Sequence, residues 1–105
     1  MSREVFAYTF PAAVALTSVE STMDLAVLAV ESLHGDAQVR LDIRHLLDRA
    51  QRKCLVDATS QAGRDLNRIF AGFLMEELGA DGFDVERVEK TRSAVPQRRG
   101  PSWMT

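Results

Sequence analysis

The chain has 105 residues, of which 46% are hydrophobic and 27% charged, a composition typical of one globular domain. A formal charge of −2 is too close to neutral to indicate nucleic acid or an acidic substrate. The single cysteine, Cys54, excludes an intrachain disulfide, and we find no signal peptide or membrane-spanning stretch, so we expect a cytoplasmic protein.

The N-terminal third predicts a strand followed by a helix. Residues 3–10 are rich in aromatic and β-branched side chains and stop at Pro11, which indicates a strand. Thr17 and Glu20 have the spacing of a capping box, which predicts a helix start. Apolar residues then recur every three or four positions until Gly35, which can take the left-handed conformation that ends a helix.

The middle of the chain predicts a hairpin of two strands. From Ala37 the hydrophobic period is two, with Val39, Leu41 and Ile43 on one face and polar residues on the other. Residues 53–58 then form a short apolar stretch that predicts a buried strand. A helical turn over residues 44–52 is the alternative.

The last third predicts a helix, a strand and a tail. Thr59 or Ser60 can cap a helix whose apolar residues keep helical spacing up to Gly79. A turn at Asp81-Gly82 leads to a final strand over residues 83–89. Residues 91–105 contain two prolines, three arginines and no acid, which predicts a flexible basic tail after a single domain at 1–90.

The element order is therefore β-α-β-β-α-β. This order is that of the ferredoxin-like split βαβ fold of the α+β class, with four antiparallel strands and both helices on one face of the sheet. The alternative is a mixed α/β sheet similar to that of anti-sigma-antagonist (STAS) domains. There too a strand that ends in Asp leads into a helix, as Val56-Asp57 does here.

One turn has the composition of an anion site. Residues 57–65 lead from a strand into a helix, where free backbone N–H groups and the helix dipole attract anions. Thr59, Ser60 and Gly63 would supply the turn and Arg64 a positive charge. The turn lacks the glycines and the lysine of nucleotide-binding loops, and helix capping accounts for the same residues. We favour the capped helix and keep these four residues as ligand-binding candidates.

Metal and nucleophile chemistry have weak signals. The candidate ligands His34, His45 and Cys54 lack the close spacing of zinc sites. Cys54 lies in an apolar strand, where burial raises the pKa of a thiol and lowers its reactivity. We therefore expect no metal and no cofactor, and we favour a protein that is not an enzyme.

Two further patterns indicate contact surfaces. Segment 40–53 has five basic side chains, among them Arg40 and Arg44, against two acidic ones, which suggests phosphate contact. The first strand carries an aromatic row on one face, and the tail carries a lone tryptophan that can anchor to another protein. These aromatic residues are Phe6, Tyr8, Phe10 and Trp103.

An exposed aromatic row is more typical of a protein contact than of RNA binding, because the aromatic motif that RNA-recognition sheets carry on a second strand is missing. The leading hypothesis is a non-enzymatic, homodimeric protein-interaction or regulatory module that uses an open sheet face. The alternatives are a small anion- or nucleotide-binding domain at 57–65 and a nucleic-acid binder at 40–53.

Overall fold

The computed structural model describes residues 3–90, so the predicted tail and its Trp103 lie outside the described residues. A short 3₁₀ turn, Ala80–Gly82, precedes the last strand. The helices and strands, in chain order, are β1 (Arg3–Thr9), α1 (Leu16–His34), α2 (Asp36–Asp42), β2 (Arg44–Asp48), β3 (Lys53–Asp57), α3 (Gln61–Leu78) and β4 (Asp84–Lys90).

The four strands form one sheet in the order β2-β3-β1-β4, and every pair of neighbours is antiparallel. The connection from β1 to β2 passes through α1 and α2 and skips β3, while the connection from β3 to β4 passes through α3 and skips β1. Residues 3–90 thus form a small α+β domain with a four-stranded antiparallel sheet and three helices. The alternative of a mixed sheet is wrong, because no described neighbours are parallel.

The prediction of a strand from Ala37 is wrong over residues 36–42, which form the short helix α2. The predicted hairpin is confirmed from Arg44 onward, where β2 pairs with β3. Gly35 has a φ of 89°, a left-handed value that ends α1 and lets the chain restart as a second helix. Within α2, Val39 is buried whereas Leu41 is 72% exposed, so the two do not share a face as in a strand. The predicted alternative, a helical turn over 44–52, is also wrong, since β2 begins at Arg44.

The start of α1 differs from the predicted capping box. The helix begins at Leu16 after Ala15, with no side-chain cap, so Thr17 already lies inside it. The preceding loop is held instead by Arg52, whose guanidinium donates hydrogen bonds to the carbonyls of three loop residues, Phe10, Pro11 and Val14. A side chain 38 to 42 residues away therefore organises this helix start.

The core lies between one face of the sheet and the helices. Tyr8, on the central strand β1, is fully buried and meets Phe70 of α3 edge to face, with ring centroids 4.9 Å apart. Its hydroxyl donates a hydrogen bond to Asn67 Oδ1. Phe10 is also buried, and Phe6 packs against the same cluster.

The predicted aromatic row is thus not an open surface. Phe6, Tyr8 and Phe10 share one face, as the alternation predicts, but the helices cover that face. The physical reason is that burying the three rings removes more apolar area from water than burying Val5 and Ala7 on the opposite face.

Candidate functional site

The face of the sheet that points away from the helices carries an apolar patch. Side chains opposite each other on antiparallel strands share a face, and Tyr8, Cys54 and Val56 belong to the core. Ala7, which precedes Tyr8 on β1, and Leu55, which lies between Cys54 and Val56 on β3, therefore point away from the helices. Extending the register to β2 and β4 defines the open-face patch, which consists of Val5, Ala7, Leu46, Leu55 and Val88.

The patch runs across all four strands. Leu46 is opposite Leu55, and Leu55 is opposite Ala7, which continues one apolar row over three strands. Val5 and Val88 are opposite each other in the next row and extend the patch to β4. Leu46 is 60% exposed, Val5, Leu55 and Val88 are half-buried, and Ala7 is buried. A depression of about 310 Å³ is lined by the first four of these residues. One face of an antiparallel sheet is commonly solvated, but a contiguous apolar patch on that face marks a candidate interaction surface.

Charged residues border the patch near the end of β3. Asp57 is opposite Arg44 on β2, and its Oδ2 lies 3.7 Å from a guanidinium nitrogen of Arg3. Burial raises the pKa of Asp57, but hydrogen bonds from Thr59 and the charges of the two arginines outweigh it, so this pKa lies below its ordinary value. The rim therefore holds one ionised carboxylate between two guanidinium groups at neutral pH.

On β4, two acidic side chains lie on the open face. Glu86 is opposite Ala7, and Asp84 is opposite Thr9, so both side chains point to the open face. On the other edge strand, the open-face side chains are Arg44, Leu46 and Asp48. The open face thus has Arg44 and Asp48 at one edge and two carboxylates at the other.

The predicted anion-binding turn is internally bonded. Ser60 caps α3 as predicted: its Oγ accepts a hydrogen bond from the Gly63 backbone at 3.0 Å and donates one to the Asp42 carbonyl at 3.2 Å. Arg64 donates to the Thr59 carbonyl at 2.9 Å, and its guanidinium also bonds the side chain of Gln61. Thr59 Oγ1 accepts a hydrogen bond from the Glu4 backbone at 3.0 Å, so the side chains predicted to hold an anion all bond other groups of the protein.

Gly63 has a packing role in this turn. A Cβ added there would lie 2.3 Å from the carbonyl oxygen of Asp57, far inside contact distance. The glycine lets the first turn of α3 approach the end of β3 closely. Thr59 and Ser60 line a polar depression of about 230 Å³ that Arg44 shares, whereas Arg64 lies outside it.

The predicted basic segment 40–53 is not a single surface. Arg40 lies on α2 and pairs with Asp36 at 3.3 Å. Arg49 pairs with Glu20 on α1, and Arg52 bonds loop carbonyls. Arg44 and Lys53 remain on the open face, where they are opposite Asp57 and Thr9 respectively.

Cys54 and His34 make contacts that fit structural roles. Burial raises the pKa of the Cys54 thiol to about 11, so the thiol is protonated at neutral pH even though it borders a depression of about 450 Å³ together with His45. His34, in the last turn of α1, lies 2.7 Å from a carboxylate oxygen of Asp65 and links α1 to α3. In residues 3–90, no group of three or more His, Cys, Asp or Glu side chains is arranged to hold a metal ion.

Comparison with protein-family models, with curated proteins and with solved structures found no match. Among the described helices, none combines the length and the hydrophobicity needed to cross a membrane. The open-face patch is one of the apolar surfaces that the described residues leave partly exposed, and Leu25, Leu28 and Leu33 of α1 form others.

The sequence did not single out the open-face patch. The alternation of residues predicted after Ala37 does put Leu46 on the same side of the strand as Arg44, and the register of β2 agrees with that placement. Leu55, however, lies within an apolar run between Cys54 and Val56, in which neither face is distinguished. Only the pairing of β3 with β1 separates the two faces.

Proposed function

We propose that this chain is a non-enzymatic protein-interaction module that forms a homodimer through the open face of its sheet. The observation that supports this proposal is the open-face patch, which crosses all four strands and is not covered by any of the helices described in residues 3–90. Burying such a patch against an identical patch is the simplest way to remove it from water, because a two-fold axis uses the same surface twice.

We also propose that the fold is the ferredoxin-like split βαβ arrangement. The strand order β2-β3-β1-β4 and the two helical connections, each of which skips one strand, support this proposal. In such an arrangement both long helices cover one face of the sheet, and the other face is available to a partner.

The charges on the open face do not select one orientation of the two copies. β2 carries Arg44 and Asp48, and β4 carries Asp84 and Glu86. A two-fold axis parallel to the strands brings β2 of one copy over β4 of the other and places Asp48 over Asp84, because both residues lie in the row of Thr9. The homodimer proposal therefore rests on the apolar patch.

The size of the face sets the expected affinity. Four strands of five to seven residues cover roughly 400 Å² in projection, from strand spacing and rise per residue. A standard complex buries about 800 Å² of accessible surface on each partner. We therefore expect a dimer that dissociates on dilution, with a dissociation constant on the order of micromolar.

The other two predicted functions have less support. The donors of the strand-to-helix turn at Thr59 and Arg64 are hydrogen-bonded within the turn. The basic side chains of segment 40–53 are divided among α2, the turn after β2 and the open face. Neither set offers the converging positive charge that phosphate binding requires.

The test is the solution mass of the full chain, measured by light scattering over a wide concentration range. Leu46 and Leu28 are each 60% exposed, but Leu46 belongs to the open-face patch and Leu28 to α1. We expect the wild type and Leu28→Glu to approach the mass of a dimer as concentration rises, and Leu46→Glu to stay monomeric. A wild type that is monomeric at every concentration would refute the homodimer, and a dimeric Leu46→Glu would refute this interface.

A further inference from the structure

A second apolar depression lies between α1 and α3 on the helical side of the domain. We name it the helix groove, and it has a volume of about 540 Å³, within the usual range of ligand-binding clefts. Leu25 is 59% exposed beside it, and Phe73 is half-buried. The residues that line it are Thr22, Leu25, Phe73, Glu76 and Glu77.

The rim of the helix groove is acidic. Glu76 and Glu77 border it on α3, and Glu77 accepts a hydrogen bond from Thr22 Oγ1 at 2.7 Å. Among residues 3–90, no lysine or arginine lines the groove, and α1 itself contains three acidic residues and no lysine or arginine. An occupant that combines an apolar group with positive charge fits both the walls and the rim.

The chain carries such a segment at its own C-terminal end. Residues 91–105 contain three arginines, no acidic residue and Trp103, the only tryptophan of the protein. Residues 1–90 have the opposite balance, with 15 acidic and ten basic side chains. We propose that residues 91–105 dock on the helix groove of their own chain, with Trp103 between Leu25 and Phe73 and the arginines beside Glu76 and Glu77.

The length of the segment is sufficient for this contact. β4 ends at Lys90, opposite Arg3, at the end of the domain where α3 begins. From there the groove lies 12 to 16 residues along α3, a distance of about 18–24 Å at the rise of a helix. Thirteen residues from 91 to 103 span up to about 43 Å when extended, which leaves slack to pass around the edge of the sheet.

Docking of Trp103 offsets the exposure of Leu25. A buried tryptophan removes on the order of 200 Å² from water, and contact with the groove covers apolar area on the protein as well. The arginines then lie beside carboxylates in a partly desolvated groove, where charge attraction is stronger than on an open surface. This contact is independent of the open-face patch, because the groove lies on the opposite side of the sheet.

The test uses the fluorescence of Trp103 in the full-length protein, with a synthetic peptide of residues 91–105 as the reference. We expect emission at shorter wavelength than in the peptide, and an acrylamide quenching constant at least about twofold lower, because burial shields the indole. Leu25→Glu and Glu76→Lys are expected to restore the emission of the peptide.

Two controls separate this contact from other effects. Leu33→Glu changes a leucine that is 65% exposed on the same helix but does not line the groove, and it should leave the emission unchanged. Leu46→Glu should also leave it unchanged, whether or not that variant alters the mass of the protein.

The proposal is overturned if the wild-type emission matches the peptide, or if both groove variants keep the shifted emission. It is equally overturned if the shift develops only as protein concentration rises, because the occupied groove would then belong to another chain.

Discussion

Two glycines of the same helix should respond in opposite ways to the same substitution. An added Cβ at Gly63 would lie 2.3 Å from the carbonyl oxygen of Asp57 and 3.1 Å from Ser60 Oγ. At Gly72, which is exposed, it would have no neighbour within 4 Å. Gly63→Ala therefore tests the close approach of α3 to the end of β3, and Gly72→Ala is its matched control.

The magnitudes follow from two opposing effects. Alanine is favoured over glycine inside a helix by about 1 kcal/mol, which applies at both positions. At Gly63 the first turn of α3 must move by roughly 1 Å to accept the methyl group, and overpacking of this kind costs about 1–3 kcal/mol. The same movement loosens the Ser60 cap, which contributes about 1 kcal/mol.

We therefore expect Gly63→Ala to lower the free energy of unfolding by about 1–3 kcal/mol and Gly72→Ala to raise it by up to about 1 kcal/mol. Urea unfolding followed by circular dichroism measures both, and an unchanged m-value shows that stability alone has changed. In a domain of this size each kcal/mol moves the melting temperature by about 4–8 °C. A Gly63→Ala protein as stable as Gly72→Ala would refute the close packing of α3 on β3.

Three further predictions concern stability and reactivity. Arg52→Ala removes the donors that hold the loop before α1, so we expect the free energy of urea unfolding to fall by about 1–3 kcal/mol. Its control, Arg40→Ala, breaks an exposed ion pair and should change that free energy by less than about 0.5 kcal/mol. Equal effects of the two substitutions would contradict the role of Arg52. The pKa of Asp65 is lowered, chiefly by its hydrogen bond with His34, so its contribution to stability is present above the ordinary carboxyl pKa of about 4 and is lost as pH falls through the lower folded value. Asp65→Asn should therefore flatten the acid limb of a stability–pH profile, and an unaltered limb would argue against the pair. Burial raises the pKa of the Cys54 thiol to about 11. Thiol reagents should therefore label the native protein at neutral pH at least about 100-fold more slowly than the urea-unfolded chain. Comparable labelling rates would show that the thiol is accessible in the native protein.

Elements whose signals are local could be predicted from the sequence. The periodicity of α3, its Ser60 cap and its Gly79 end all act within one or two turns of the helix, and the structure confirms them. The apolar run of β3 and the aromatic run of β1 likewise form the two central strands. These features follow from backbone hydrogen bonding and side-chain spacing, which do not depend on distant residues.

Other elements depend on distant contacts and were predicted wrongly. The start of α1 follows the hydrogen bonds of Arg52, which is far away in sequence, rather than the capping box at Thr17. Residues 36–42 would form only about two helical turns, so the spacing of their hydrophobic residues cannot distinguish a helix from a strand. In the structure they form a helix, and Val39 is buried in the core.

The candidate site belongs to this second group. The sequence determined that β1 has an aromatic face and an aliphatic face, because side chains alternate along any strand. It did not determine which of these faces remains open, since that depends on where α1 and α3 pack. The helices cover Tyr8 and Phe10, which bury more apolar area than Val5 and Ala7, and the tertiary structure thereby left the aliphatic face to form the open-face patch.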